Sequence, residues 1–382
     1  MNITTYCNLT NFSKSYEQLH GVLSLTLCVF GSIANVLMMT VLLRKDMRWP
    51  TNLILTGLAV ADLLVMLEYI PFSLHRYFNK ERRNYVGSFS HNWALFMFFH
   101  ALFSQIVHFI SCCLTVILAV WRYVTISKPH NTRVWFGLKR TFYVIVIVYV
   151  CAPIICSPII FSLTIRHHNQ TCDSSGKIIK REDLKTYKGE VRSELIYVTD
   201  IASETAKVIS FWVYSVVIKL VPCILLTHLS WKLVSILVET KKRKKVLLQT
   251  VVNLKDMKTS GLLTNKKKKV KQADRTSNML LALLFLFLIT EFPQAILGLL
   301  SAILEEFEKQ CYRPLGDFMD ILALINSATN VLLYCTMSRQ FRTTFTEMYM
   351  PKCAFSCFKL PQENVRASTA DKNGERTQLS HT

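Results

Sequence analysis

Ionisable and amide side chains stand inside stretches of this sequence that are otherwise apolar, and they are where chemistry could occur. Asp62 interrupts the run Leu58-Ala59-Val60-Ala61-Asp62-Leu63-Leu64. Ser104, His108, Ser111 and Thr115 recur at i, i+4, i+7 and i+11, and Asn326, Asn330 and Tyr334 at i, i+4 and i+8. Each set therefore lies along one face of a helix, and Asn35 adds another amide facing inward. Such groups are costly in hydrocarbon and mark function or a buried polar network. Together they can share hydrogen bonds or recognise a polar ligand. There is no HExxH, no CxxC pair, no phosphate-binding glycine loop and no likeness between halves, which argues against an enzyme or a repeat-built transporter.

The faces belong to apolar runs, and a membrane-spanning helix takes about 20 such residues. Seven runs qualify, near 20–43, 52–74, 94–120, 141–165, 206–238, 278–304 and 314–337. Of the 382 residues 51% are hydrophobic and only 18% charged, whereas soluble domains carry roughly 25% charge. Runs this long exceed the roughly 10-residue alternating strands of a membrane barrel. The expected fold is all-α and integral to the membrane: a bundle of seven transmembrane helices over 20–337.

The net charge of +20 raises the question of nucleic acid, and its placement answers it. Residues 239–275 hold thirteen Lys or Arg against Glu239, Asp256 and Asp274, which makes this loop cytoplasmic by the positive-inside rule. The bases Arg44, Lys45 and Arg48, and Lys128, Arg133, Lys139 and Arg140, agree; Lys80, Arg82 and Arg83 fall outside and do not. With seven spans the N-terminus (1–19) is then extracellular. The sequons at Asn2, Asn8, Asn11 and Asn169 all fall on that side, as glycosylation requires. The chain is thus expected to be a multi-pass glycoprotein that binds membrane lipids and no nucleic acid. Cys7, Cys172 and Cys311 lie outside, an odd number that permits one bridge and leaves its identity open. Cys353 and Cys357 suit lipidation on the inner side, ahead of a polar tail over 353–382 that reads as disordered.

Asn35, the Leu-Ala-x-x-Asp run ending at Asp62, Trp121-Arg122-Tyr123, Pro222, Pro293 and Asn330-Val331-Leu332-Leu333-Tyr334 occur on successive spans. In order and spacing the chain resembles the rhodopsin-like G-protein-coupled receptors over about residues 19–350. Trp121 stands where most relatives have an acid, and Glu291 in Thr290-Glu291-Phe292-Pro293-Gln294 where most have Trp. Those departures resemble the invertebrate myosuppressin and FMRFamide-like neuropeptide receptors.

The resemblance implies no enzymatic activity and no catalytic residue. It implies a plasma-membrane receptor coupling peptide binding to a heterotrimeric G protein, in the likeness of inhibitory coupling, with arrestin-like regulation at the polar tail. Activation would run through Arg122, Tyr123, Glu291, Pro293, Asn330 and Tyr334. Asp62, Ser111, Asn326, Ser327 and Asn330 match the family's pocket for an allosteric Na+; no other cofactor is expected. The stretch 338–352 resembles the family's short amphipathic eighth helix on the membrane surface, with Phe341 and Phe345 toward lipid. The family's usual bridge to the third helix cannot form, because Met97 stands at its position. Ser104 replaces the carboxylate of monoamine receptors, and Leu324 the lysine of visual pigments. The outer half instead offers Glu68, His100, Gln105, His108, Trp212, Glu291, Phe292, Gln294 and Asp317. Carboxylates that take Arg, and rings that stack on Phe, suit an amidated, cationic, aromatic peptide. The loop over 166–205 is expected to be charged and solvated or to gather that ligand. The alternative on the same fold is a chemosensory receptor for small environmental molecules.

Overall fold

The computed structural model describes residues 7, 9–79, 84–127, 137–179, 183–184, 186–253, 282, 285–337 and 339–349. The first helix is Thr10–Leu42 and the second Pro50–Ser73, extended by a π turn at Leu74–Phe78. The third is His91–Ser127, and the fourth is Leu138–Ile155 continued by Ser157–Ser162. The fifth runs from Glu204–Trp212 through a π turn, Val213–Leu220, into Val221–Asn253. The sixth covers Phe285–Ile303 and the seventh Gly316–Met337. Six of these, all but the seventh, are long and apolar enough to cross a membrane by length and composition. At 1.5 Å per residue the 22 residues of the seventh extend about 33 Å, enough for a hydrocarbon core of about 30 Å.

Large apolar side chains face outward, Phe30, Phe161, Trp231 and Phe285 each more than two-thirds exposed. Rings so placed on every side are stable in lipid and not in water. The first helix packs on the second and seventh, the second on the third, and the third on the fourth and fifth. Prolines shape the bundle by removing an N–H and crowding the carbonyl four residues back. The π turn at Val213–Leu220 ends just before Pro222, and the fourth helix breaks at Cys156 after Pro153.

Three boundaries differ from expectation. The first helix begins at Thr10 and not near residue 20, so Asn11 sits exposed in its first turn. The fifth helix runs on to Asn253, which makes the opening of the basic loop helical. Straight-chain Lys and Arg favour helix, and Arg243 pairs with Glu239 one turn back at 2.6 Å. The outer loop is not irregular: Leu163–Asp173 (β1) and Val191–Ile201 (β2) pair antiparallel, from Leu163 opposite Ile201 to Asp173 opposite Val191. Asn169 is exposed on β1. At the strand end Gly176 takes φ 83°, while Asp173 Oδ1 accepts from the Ser175 hydroxyl and from the Ser175 and Lys177 amides. Those bonds hold the Asp173 carboxyl below the ordinary carboxylate range. Thr199 of β2 donates to Ala94 O at 3.0 Å, anchoring the hairpin on the third helix.

The helix Arg339–Tyr349 follows, with Phe341, Phe345 and Tyr349 ring to ring at 6.2 and 5.0 Å. Phe341 is buried and not open to lipid. Asn2, Asn8, Cys353, Cys357 and the tail over 353–382 lie outside the described residues.

The open cysteine question has an answer. Cys7 bridges Cys311, their Cα atoms 5.6 Å apart across a sequence separation of 304. Cys172 is fully buried and free, packed with Val86 and Ile196 under the hairpin. Beside the bridge, Glu308 accepts from Arg313 and forms an ion pair with Lys207, each at 2.8 Å. Burial opposes ionisation of Glu308, but these two cations prevail and hold its carboxyl below the ordinary range. Cys7→Ser and Cys311→Ser are each expected to lower stability by about 2–4 kcal/mol, and the double variant no further. Thermal unfolding of detergent-purified protein checks this; additive losses would mean that the two cysteines act independently.

Candidate functional site

Two polar clusters lie within the bundle, and a third lies at its outer end. At the centre of the first is Glu291. Its Oε2 accepts from Lys219 Nζ at 2.7 Å and meets His108 Nε2 at 3.0 Å. Lys219 also donates to Gln294 Oε1 at 2.7 Å, and Gln294 Nε2 donates to Met319 O at 3.0 Å. Four helices, the third, fifth, sixth and seventh, thus meet through one network. Lys219, Glu291, Gln294 and His108 are all buried. Glu291 and Gln294 stand at i, i+3 and so share the inner face of the sixth helix. Gln105, one turn from His108, is half-buried, its Nε2 without a hydrogen-bond partner among the described residues. His108, Cys112 and Glu291 place ligand atoms within 4.8 Å of one another, a spacing a metal could use. The Lys219 ammonium already stands where such an ion would meet the carboxylate, so the cluster carries its own cation.

The outer cluster joins the first, second, third and seventh helices. Glu68 Oε1 bonds His100 Nδ1, and the His100 ring stacks on Phe72 with centroids 4.1 Å apart. Tyr69 OH donates to Asp320 Oδ2 at 3.2 Å, and His20 Nε2 lies 3.0 Å from the same hydroxyl. Tyr77 OH donates to Asp317 Oδ1 at 2.9 Å.

The remaining cluster surrounds Asp62, whose Oδ1 accepts from Ser111 Oγ at 3.1 Å. Asn35 Nδ2 reaches Ser327 O at 3.4 Å, and its Oδ1 is a buried acceptor with no partner among the described residues. Asn326 and Ser327 are buried, while the side chains of Asn330 and Tyr334 lie outside the described residues. Asp62, Ser111, Asn326 and Ser327 each carry a side-chain oxygen, the ligand type a hard cation prefers.

Phe292 and Trp212 do not join the ligand-facing groups: both are nearly half exposed. Phe292 follows Glu291 and so points about 100° away from it around the helix. The π turn after Trp212 adds a residue to the turn and takes Trp212 off the face that carries Lys219. Phe292 instead lines a groove of about 820 Å³ with Tyr123, Ile224, Thr227 and Trp231. Tyr123 also lies under the Lys232 ammonium at 5.7 Å. Trp121 is buried and Arg122 half-buried at the inner end of the third helix, and Pro293 is exposed. Lys219, Asp320, Tyr69, Tyr77 and His20 were not singled out from sequence. The rule that draws attention to Asp62 applies equally to a lysine within Val216-Val217-Ile218-Lys219-Leu220.

Removing one member of a buried ion pair strands the other, which costs about 3–5 kcal/mol, whereas replacing both by apolar groups is nearly neutral. Lys219→Met and Glu291→Leu are each expected to lower stability by that amount, and the double variant by much less. A thermal unfolding cycle in detergent checks this, and strictly additive losses would show that the pair is not coupled.

The chain matches the family described as serpentine type 7TM GPCR chemoreceptor Srw over residues 22–352. It is 30% identical over 378 residues to the G-protein coupled receptor dmsr-1 of Caenorhabditis elegans, covering 92% of this chain and 72% of that one. It is 26% identical to the sex peptide receptor of Drosophila melanogaster, covering 91% and 77%. Likeness to the thyrotropin-releasing hormone receptor of Mus musculus is 24%, covering 91% and 83%. With seven helices in the order the motifs require and the match running from the first helix through Arg339–Tyr349, this chain belongs to the serpentine seven-transmembrane G-protein-coupled receptor family Srw.

Proposed function

We propose that this receptor answers an amidated FMRFamide-like or myosuppressin-like neuropeptide and activates a heterotrimeric G protein of the inhibitory class. The observation that carries the reading is the chemistry of the outer cluster. Three carboxylates, Glu68, Asp317 and Asp320, stand among Tyr69, Phe72, Tyr77 and His100. Carboxylates beside rings suit a ligand that carries both a cation and an aromatic group. Likeness to receptors named for a peptide and for a peptide hormone supports it. The paired strands over the outer end would then gather the peptide, with the Gln105 amide available to a terminal carboxamide.

In this reading the N-terminus is extracellular at the plasma membrane, and glycans sit on Asn2, Asn8, Asn11 and Asn169. Arg122 engages the G protein; Tyr123, Pro293, Asn330 and Tyr334 move with it. The oxygen set of Asp62, Ser111, Asn326, Ser327 and Asn330 holds Na+ in the resting arrangement. Cys353 and Cys357 are lipidated beside the surface helix, and arrestin-like regulators meet the tail. A ligand that prefers one arrangement of such a bundle shifts its population.

The family description itself names chemoreceptors, which favours a receptor for small environmental molecules as the second reading. G-protein activation in transfected cells against amidated Phe-Met-Arg-Phe-like peptides separates the two. A saturable nanomolar response, lost in Arg122→Ala, is expected. Silence toward every peptide with verified surface expression would favour the small-molecule reading.

A further inference from the structure

The inner and outer clusters differ in charge balance. At the inner one the Glu291 carboxylate is met by the Lys219 ammonium at 2.7 Å and by His108. A second cation arriving there would face Lys219 directly, so this cluster repels it. At the outer one Glu68, Asp317 and Asp320 stand against Arg76, His20 and His100 among the described residues. Arg76 is exposed, with its guanidinium over the Tyr77 ring at 5.8 Å.

The outer cluster is more than a collection of acids, because one of its oxygens is orphaned. The Glu68 side chain is 6% exposed, and only its Oε1 is bonded, to His100. Its Oε2 is buried with no hydrogen-bond partner among the described residues, as is Glu291 Oε1, but Glu291 already has the Lys219 ammonium at 2.7 Å and Glu68 has only His100. A carboxylate oxygen left in this state requires a donor. Asp320 is close by: Tyr69, the next residue after Glu68, donates to it, and Asp320 and His100 are electrostatic neighbours. The rings of Tyr69 and Phe72, 5.1 Å apart, stand beside these carboxylates. Carboxylates with rings beside them take a guanidinium or ammonium by charge-assisted hydrogen bonds and by cation–π contact.

We infer that Glu68 and Asp320, between the second, third and seventh helices, form the subsite for the ligand's cationic group, and that Glu291 does not receive it. This rests on the peptide-receptor reading and narrows it. The cation is either an arginine side chain or the peptide's terminal amine, and the same carboxylates would hold both.

The test uses full-length receptor at verified surface expression and four peptides: amidated Phe-Met-Arg-Phe, its citrulline analogue, its N-acetyl analogue and the analogue with both changes. Removing the cation that docks is expected to lower potency roughly tenfold to hundredfold on wild type. Glu68→Gln and Asp320→Asn are expected to lower the parent peptide's potency similarly while adding little to the loss of that uncharged analogue. Glu68→Asp should restore part of the discrimination, and Glu291→Gln should leave it whole. Citrulline sensitivity assigns the arginine, and acetyl sensitivity the terminal amine. The subsite is overturned if Glu68→Gln and Asp320→Asn both keep the wild-type discrimination, or if Glu291→Gln is the variant that abolishes it. A wild-type receptor silent to all four peptides but responsive to a non-peptide would overturn the peptide reading, and the subsite with it.

Discussion

Burying an ammonium and a carboxylate within a lipid-facing bundle is the constraint around which the rest of this receptor is arranged. A lone charge at the centre of a membrane helix costs about 3 kcal/mol even on insertion-based scales. Lys219 and Glu291 therefore require each other, at 2.7 Å, with His108 bonded to Glu291 and Gln294 to Lys219. Four helices must turn particular faces inward for that to happen. Gln294 extends the tie to the seventh helix through Met319 O.

The irregularities of the bundle serve the same arrangement. The π turn ahead of Pro222 decides that Lys219 faces inward while Trp212 faces out. Gly298 lets the sixth helix approach the fifth closely: a Cβ there would stand 2.8 Å from Ser215 Oγ. At the outer end the Cys7–Cys311 bridge and the contacts of Lys207 and Arg313 with Glu308 fix the segment between the sixth and seventh helices. That segment leads into Asp317 and Asp320, so the same ties position the outer acids.

Much of the fold was legible because lipid imposes length and apolarity on each span. Motif residues such as Asp62 and Arg122 stand out as polar groups at fixed helical phase. The hairpin was not legible, since His167-His168-Asn169-Gln170 breaks the apolar alternation that would mark a strand and pairing with β2 depends on partners some 30 residues away. The network around Glu291 was read in part. Glu291, His108 and Gln294 were visible as candidates, but Lys219 bonds a residue 72 positions away, and no local pattern connects them. Trp212 stands apart from this network for a related reason. A helical wheel assumes unbroken α geometry, and the fifth helix departs from it. Asp320 shares the outer cluster with Asp317, yet only contact with Tyr69 reveals it.

The Lys219–Glu291 pair ties the fifth helix to the sixth in the arrangement described. Ligand-free G-protein signalling in cells, measured at matched surface expression for wild type, Lys219→Met and Glu291→Gln, addresses it directly. The account predicts raised basal signalling in both variants, because the fifth and sixth helices lose the ion pair that joins them in this structure. Basal signalling at the wild-type level in both, with ligand response intact, would contradict it.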